Sequence, residues 1–174
     1  MIGAIVLAAG AASRFGSPKQ LLFLPYVLER LRGAPVGQIV VVAGAHAIEA
    51  SETLSLDGVS VVTATDWAVG PGASLRCGLA ALSAEAEAAL VILADGPFLD
   101  PRAIDRVLAH RQDAPFIAAS YDGIRSHPAL LARSIWDAIP NDGGRDLDVL
   151  LIPCEDLTPP GDIDTPDLWN PPEA

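Results

Sequence analysis

Residues 4–19 read Ala4-Ile5-Val6-Leu7-Ala8-Ala9-Gly10-Ala11-Ala12-Ser13-Arg14-Phe15-Gly16-Ser17-Pro18-Lys19. The apolar start predicts a buried strand, which delivers the following loop to the sheet edge where open α/β sheets bind ligands. Lys19 is the single lysine of a chain with ten arginines. A lone ammonium in a glycine-bearing loop suits a task that needs a compact point charge, and phosphate is the obvious ligand.

The loop differs from both common phosphate-binding motifs. Its spacing from Gly10 to Gly16 misses the dinucleotide fingerprint, and Ser17-Pro18 stands where the Walker pattern has lysine and a hydroxyl. It offers backbone N–H groups, Arg14, and Lys19 at the start of a helix whose dipole attracts anions. An ordinary strand-to-helix loop with two surface cations is the alternative.

The rest of the chain alternates between strand and helix patterns. Strand-like runs cover 2–8, 38–43, 59–63 and 89–94, and helical patterns cover 19–32, 45–55 and 73–84. Such alternation predicts a mostly parallel sheet with helices on both faces. Farther on, we predict a helix over 102–111 and strands over 116–121 and 128–132 around an Asp122-Gly123 turn. The expected fold is a Rossmann-like three-layer α/β/α sandwich, with one domain over residues 1–174.

Charge and composition exclude several classes of protein. The net charge of −11 and the pI near 4.4 oppose binding to nucleic acid or to an anionic membrane. The apolar runs are far below the ~20 residues that span a bilayer, and no basic residue precedes the first one, as a signal peptide would require. Cys77 and Cys154 lack metal or redox spacing. We therefore expect a cytoplasmic protein with reduced thiols.

Two aspartates are candidate metal ligands. Asp95 follows the strand over 89–94, where a buried carboxylate is costly unless it is paired or bound to a cation. In Gly161-Asp162-Ile163-Asp164-Thr165-Pro166 the alternate carboxylates of an extended segment share one face, and Asp164 is our choice of partner. Two protein oxygens with phosphate oxygens and water suit Mg²⁺. Strand-end or capping aspartates are the alternative.

Two further segments carry polar groups of interest. In the glycine-rich stretch 67–79, Ser74 and Arg76 lie in the first turns of a helix, where they could contact a base, a ribose or a phosphate. Plain turn and capping chemistry explains the same residues. For His127, which precedes Pro128, a hydrogen-bonded structural role is favoured over a base or a ligand.

Taken together, these segments resemble the MobA-like nucleotidyltransferases, and most closely the molybdenum cofactor cytidylyltransferases. The likeness lies, in order along the chain, in Leu7-Ala8-Ala9-Gly10, Ser13, Arg14, Gly16, Lys19-Gln20-Leu21-Leu22, Ser74-Leu75, Gly78-Leu79, Asp95-Gly96-Pro97, His127-Pro128, Asp142-Gly143-Gly144-Arg145 and Asp162-Ile163-Asp164-Thr165-Pro166. The resemblance implies a fold like that of the nucleotide-diphospho-sugar transferases. It further implies that Leu7, Ala8, Ala9, Gly10, Arg14, Lys19, Ser74 and Asp95 bind a nucleotide. Arg14, Lys19 and Asp95 would be catalytic, and Asp95 and Asp164 would bind Mg²⁺.

The resemblance also implies a substrate. The guanylyl-transferring branch usually has two glycines where this chain has Ala9-Gly10, and asparagines where it has Asp162 and Asp164, which favours CTP. The expected reaction transfers CMP to a phosphorylated acceptor, most simply molybdopterin, with a molybdoenzyme as a candidate partner. The chain departs from the family at Gly96, where glutamine is common, at Ser126, where glycine is usual, and over Leu22–Tyr26, which lacks the usual glycine-containing loop.

Three alternatives stay open at this stage. One is a catalytically impaired nucleotide-binding protein that acts in cofactor delivery or molybdoenzyme assembly. Another is a transferase of the same family with a different nucleoside triphosphate or acceptor. The third, a dinucleotide-dependent oxidoreductase, lacks the glycine fingerprint.

Overall fold

The computed structural model describes residues 1–9, 19–44 and 58–161, and within the first helix the side chains from Leu22 onward. The strands are β1 (Ile2–Ala8), β2 (Gln38–Ala43), β3 (Val59–Thr63), β4 (Ala88–Leu93), β5 (Phe116–Tyr121), β6 (Ile124–Ala132) and β7 (Leu150–Pro153). The helices are α1 (Lys19–Arg32), α2 (Pro71–Ala81) and α3 (Pro101–Ala109), with 3₁₀ turns at Trp67–Val69 and Arg133–Ala138. The predicted helix over 45–55 lies outside the described residues.

The seven strands form one mostly parallel sheet, as predicted. Their order is β3-β2-β1-β4-β6-β5-β7, and β6 runs antiparallel to both of its neighbours. β1 and β4 are parallel neighbours in which Leu7 is paired with Leu93, and the N–H of Ala94 donates to the carbonyl of Leu7 over 3.0 Å. The carboxyl ends of these two strands therefore lie side by side, and Asp95 follows directly from one of them.

Helices cover both faces of the sheet and bury two apolar clusters. On one face α1 packs against β1 and α3 packs against β5 and β6, with Leu24, Ile104 and Val6 in the same cluster. On the other face α2 contributes Leu75 and Leu79 to a second cluster that contains Ile5. Because successive side chains of a strand point to opposite faces, Ile5 and Val6 serve different clusters. This arrangement confirms the Rossmann-like three-layer fold.

Helix α1 runs without a break through the stretch that lacks a glycine-containing loop. Pro25 stands inside the helix on its exposed side, where it removes one backbone hydrogen bond. The buried residues Leu24, Val27, Leu28 and Leu31 recur at helical spacing and pack into the core. The favourable free energy of burying this apolar face offsets the loss of the backbone hydrogen bond at Pro25.

The hairpin between β5 and β6 follows the predicted Asp122-Gly123 turn. Both turn residues have positive φ, 53° and 73°, which a two-residue hairpin of this kind requires. Pairing begins at Tyr121 with Ile124, so β6 starts four residues earlier than the predicted strand over 128–132. β7 and both 3₁₀ turns were not predicted, because each is short. Within the described ranges, no helix is long and apolar enough to cross a membrane.

Candidate active site

Two adjoining pockets lie at the carboxyl edge of β1 and β4. The first, here called the Asp95 pocket, has a volume of about 310 Å³. The second, called the Arg125 pocket, has a volume of about 440 Å³. Leu7, Pro71 and Leu93 line both pockets. The two pockets are therefore halves of one cleft.

The Asp95 pocket brings together residues from three separate segments of the chain. Leu7 and Ala9 come from the end of β1, Ser74 from the first turns of α2, and Asp95 from the end of β4. All four were predicted to bind a nucleotide. Trp67, which was not singled out, is the aromatic side chain in the lining. The structure thus assembles in one cavity residues that lie more than 60 positions apart in sequence.

Other predicted site residues fall partly or wholly outside the described chain. Ala8 is buried at the end of β1. Lys19 is the first residue of α1, but its side chain is not described. Gly10, Arg14 and Asp164 lie outside the described residues. Of the two candidate metal ligands, the structure places Asp95 in the cleft. Within the described ranges no group of three His, Cys, Asp or Glu side chains could hold a metal ion.

The start of α2 depends on a close approach to the 139–143 loop. The N–H of Gly72 donates to the carbonyl of Asn141 over 2.9 Å, and a Cβ at Gly72 would overlap the carbonyl oxygen of Pro140. Gly70 has a φ of 148° and lies against the same loop. Both glycines of the Gly-Pro-Gly stretch are therefore required, Gly72 by the close approach of the 139–143 loop and Gly70 by its positive φ as well. The sequence alone suggested only ordinary turn chemistry.

Arg76 does not face the cleft, which makes its candidate role as a contact to base, ribose or phosphate wrong. Its Nη1 donates to the carbonyl of Ile139 over 2.8 Å, and its Nη2 donates to Oδ1 of Asn141 over 2.8 Å. Arg76 lines neither half of the cleft. Instead it ties α2 to the 139–143 loop, so that the Ser74 side and the Asp142 side of the cleft are held together.

The Arg125 pocket combines an apolar floor with a polar rim. Its floor is built by Leu75, Val91, Phe116, Ala129 and Leu131, and its rim by Arg125, Ser126, His127, Asp142 and Arg145. Ala129 and Leu131 alternate on one face of β6 opposite Ala118 and Phe116, whereas Arg125, Ser126 and His127 come from the part of β6 where the pairing with β5 shifts register. The rim carries two guanidinium groups and one carboxylate from these residues.

Arg125 was missed by the sequence analysis, because an isolated arginine carries no spacing signal. Its guanidinium carbon lies 4.4 Å from the centre of the Phe116 ring, within cation–π range. Nη1 donates to the carbonyl of Gly144 over 2.9 Å and to that of Arg145 over 3.5 Å. Burial lowers the pKa of Arg125 and the Asp142 carboxylate opposes this effect; the guanidinium stays charged at neutral pH.

The turn over 142–145 presents Arg145 at the rim. Oδ1 of Asp142 accepts a hydrogen bond from the N–H of Gly144 over 2.8 Å. Gly143 and Gly144 have φ values of 80° and 85°, the left-handed conformation that glycine adopts without strain. The resemblance pointed to this segment without giving it a role, and the structure places it on the Arg125 pocket.

His127 and Gly96 are neighbours, which accounts for one departure from the family pattern. His127 is buried, and a Cβ built at Gly96 would lie 2.5 Å from its Nε2 and 2.9 Å from Cβ of Pro160. A side chain at position 96 would therefore displace the imidazole ring. The common glutamine does not fit here with His127 in its present position.

The fold and the cleft define the class of the protein. Parallel strands deliver a loop, a helix start and a carboxylate to one edge, which is the layout of α/β proteins that bind nucleotides. The sequence model of the MobA-like NTP transferase domain matches residues 4–150. The chain belongs to this family and is a nucleotidyltransferase.

Solved structures share the fold over nearly the whole chain. Rv0371c from Mycobacterium tuberculosis H37Rv is 27% identical with a TM-score of 0.82, over 95% of this chain and 94% of that chain. Its homologue from Mycobacterium sp. strain JC1 is 26% identical with a TM-score of 0.79, over 95% of this chain and 91% of that chain. A complex of Rv0371c with manganese gives 24% identity and a TM-score of 0.74, over 88% of each chain. No curated protein sequence matches this chain significantly.

Proposed function

We propose that this chain transfers CMP from CTP to a phosphorylated acceptor, with molybdopterin as the leading acceptor, and releases pyrophosphate. The observation that carries the proposal is the convergence of Leu7, Ala9, Ser74 and Asp95 on one pocket that opens into the larger Arg125 pocket. One half of the cleft would hold the nucleotide and the other the acceptor. The preference for CTP rests on Ala9, Asp162 and Asp164, which distinguish this chain from the guanylyl-transferring branch.

The reaction needs little covalent help from the protein. A phosphomonoester is largely ionised near neutral pH, so the attacking oxygen of the acceptor requires no general base. This oxygen forms a bond to the α-phosphorus of CTP while the bond to the pyrophosphate oxygen breaks, and pyrophosphate leaves. The chain would align the two phosphates and compensate their charge with Arg14 and Lys19.

A divalent cation is part of the proposal. The Asp95 carboxylate lines the pocket and supplies the oxygen donor that Mg²⁺ prefers, and Asp164 is the proposed second ligand. Bound Mg²⁺ would neutralise charge on the phosphate oxygens. The manganese complex of Rv0371c supports a divalent cation in this fold.

Replacement of Asp95 tests the proposal directly. Pyrophosphate release from CTP in the presence of Mg²⁺ and molybdopterin should fall at least about a hundredfold in Asp95→Ala, the loss expected when a metal ligand that stabilises transition-state charge is removed. Asp137→Ala, which removes an exposed carboxylate on the second 3₁₀ turn, is the matched control and should retain activity. Circular dichroism and the melting temperature confirm the fold of both variants. Magnesium-dependent release that survives in Asp95→Ala contradicts the assignment.

Nucleotide preference is tested by thermal shift. CTP, GTP, ATP, UTP and NAD are compared with and without Mg²⁺, since a ligand that binds the native state alone raises its stability by about 2.7 kcal/mol at a hundred times its Kd. CTP with Mg²⁺ should give the largest shift. A larger shift with another nucleotide reassigns the substrate, and a shift with CTP but no turnover selects a nucleotide-binding protein.

A further inference from the structure

We infer that the Arg125 pocket binds the acceptor, and that the acceptor carries an anionic group held by Arg125 next to an apolar or planar body that lies on the pocket floor. This inference rests on the proposed function, because it assigns the second half of the same cleft. The hydrogen-bond donors of Arg125, the charges that face it and the apolar floor all favour such a ligand.

Arg125 uses one of its three side-chain nitrogens in hydrogen bonds to residues that the structure describes. Nη1 donates to the carbonyls of Gly144 and Arg145, whereas no hydrogen bond from Nε or Nη2 to another described residue is present. These two nitrogens form the edge of a guanidinium that donates two parallel hydrogen bonds to a phosphate or a carboxylate. The backbone carbonyls and the Phe116 ring thus orient Arg125 and leave its bidentate edge for a ligand.

Among the residues that the structure describes, Arg125 forms no ion pair. Arg102 and Arg106, by contrast, are paired with Asp100 and Asp156 at 2.7 Å. Among the described residues no carboxylate lies within 4.0 Å of the Arg125 guanidinium, although the group is half-buried. A half-buried guanidinium that no carboxylate pairs directly is costly, and an anionic ligand would supply the opposite charge.

The other polar groups on the rim leave a net positive charge. Arg145 adds a second guanidinium, and Asp142 adds one carboxylate whose Oδ1 already accepts from the N–H of Gly144. His127 faces the same pocket from β6. The rim as a whole is therefore suited to an anion.

The floor and the volume indicate that the anionic group is only part of the ligand. About 440 Å³ lies within the usual range of small-molecule pockets, and the floor beneath the rim consists of aliphatic side chains and Phe116. An inorganic anion alone would leave this apolar surface wet. A ligand with an apolar or planar body would cover it.

Phenyl phosphate is the probe, because it joins a phosphomonoester to a planar ring. Inorganic phosphate and phenol are the controls, since each contains one of these two groups without the other. Binding is measured by isothermal titration calorimetry in wild type and in Arg125→Met, which keeps the apolar stem. A bidentate charge-assisted pair predicts about a ten- to hundredfold loss of phenyl phosphate affinity. Inorganic phosphate and phenol should each bind wild type more weakly than phenyl phosphate.

Arg133 provides a matched control outside the cleft. Its guanidinium carbon lies 4.6 Å from the centre of the Trp136 ring and its Nη1 donates to two carbonyls, those of Ser83 and Ala86, but it lines neither half of the cleft. Arg133→Met should change phenyl phosphate affinity by less than about twofold. Arg125→Lys keeps the charge but loses the bidentate geometry, so it should bind phenyl phosphate with intermediate affinity. This variant replaces Arg125→Met in the test if Arg125→Met does not fold.

Several results would overturn the inference: no binding of phenyl phosphate to wild type, equal affinity in wild type and Arg125→Met, an equal loss in Arg133→Met, or equal affinity for inorganic phosphate and phenyl phosphate. The thermal shift with CTP is run on the same variants. Failure of CTP to stabilise wild type counts against the proposed function. The phenyl phosphate titration tests the role of Arg125 in anion binding independently of nucleotide binding.

Discussion

Removal of the Arg76 side chain should loosen the connection between the two halves of the cleft. Its two hydrogen bonds join α2 to Ile139 and Asn141, at the base of the turn that presents Asp142 and Arg145. Arg76→Ala should therefore reduce stability and, in the proposed reaction, raise KM for the acceptor more than it lowers kcat. The effect on KM should exceed the effect on kcat because Arg76 positions the loop and lines neither pocket.

The size of the stability loss follows from the geometry. Both hydrogen bonds are 2.8 Å long and charge-assisted, a class that contributes about 1.5–3 kcal/mol each when buried. Because the arginine is half-buried, we expect about 1 kcal/mol for each bond, so that the free energy of unfolding falls by about 2 kcal/mol in Arg76→Ala. For a chain of this length the melting temperature should fall by about 4–8 °C.

Urea unfolding is the assay, with Arg32→Ala as the matched control. Arg32 forms an exposed ion pair with Glu29 on α1, and its removal should cost less than about 1 kcal/mol. A double-mutant cycle of Arg76→Ala and Asn141→Ala isolates the side-chain pair, for which we expect a coupling of about 0.5–1 kcal/mol. An Arg76→Ala variant that is no less stable than Arg32→Ala, together with a cycle that shows no coupling, would contradict this prediction.

Two further predictions concern stability away from the cleft. Tyr121 is buried, and its hydroxyl has no hydrogen-bond partner among the described residues. Burial raises the pKa of Tyr121 to about 12. Tyr121→Phe should therefore raise the free energy of unfolding by about 1 kcal/mol, and an unchanged or lower urea midpoint would disprove this. The hydrogen bonds from Arg106 lower the pKa of Asp156 to about 2. Because this folded pKa lies below the value of about 3.9 in the unfolded chain, the stabilisation is present above pH ~4 and is lost as the pH falls toward 2. Arg106→Met should weaken the decline of the melting temperature between pH 4 and pH 2, and an identical decline in both proteins would argue against the pair.

The local pattern of apolar, polar and turn residues was sufficient to predict most of the secondary structure. The apolar runs of β1 to β4 and the helical spacing of α1 are properties of neighbouring residues, and so is the Asp122-Gly123 turn. β7 has only four residues and ends in Pro153, so it carries little pattern of its own. It becomes a strand because it pairs in parallel with β5, which the sequence does not reveal.

The lining of the Asp95 pocket was partly predictable as well. The rule that parallel strands deliver ligand-binding loops to their carboxyl edge placed Leu7 and Asp95 together, and the glycine-rich stretch that enters a helix pointed to Ser74. These residues follow directly from recognisable strands or helix starts. Their positions in the fold were therefore readable from the order of the elements.

The Arg125 pocket could not be predicted from the sequence, because it forms only when distant segments pack together. Arg125 acquires its orientation from Phe116 and from the carbonyls of Gly144 and Arg145, and Arg76 reaches partners 63 and 65 positions away. The strands, the helices and the edge at which they meet follow from the local sequence pattern, because periodicity and turn chemistry act between near neighbours. Which side chains face one another across the cleft depends on the packing of α2 and the 139–145 loop against the sheet, and that packing exists only once the chain has folded.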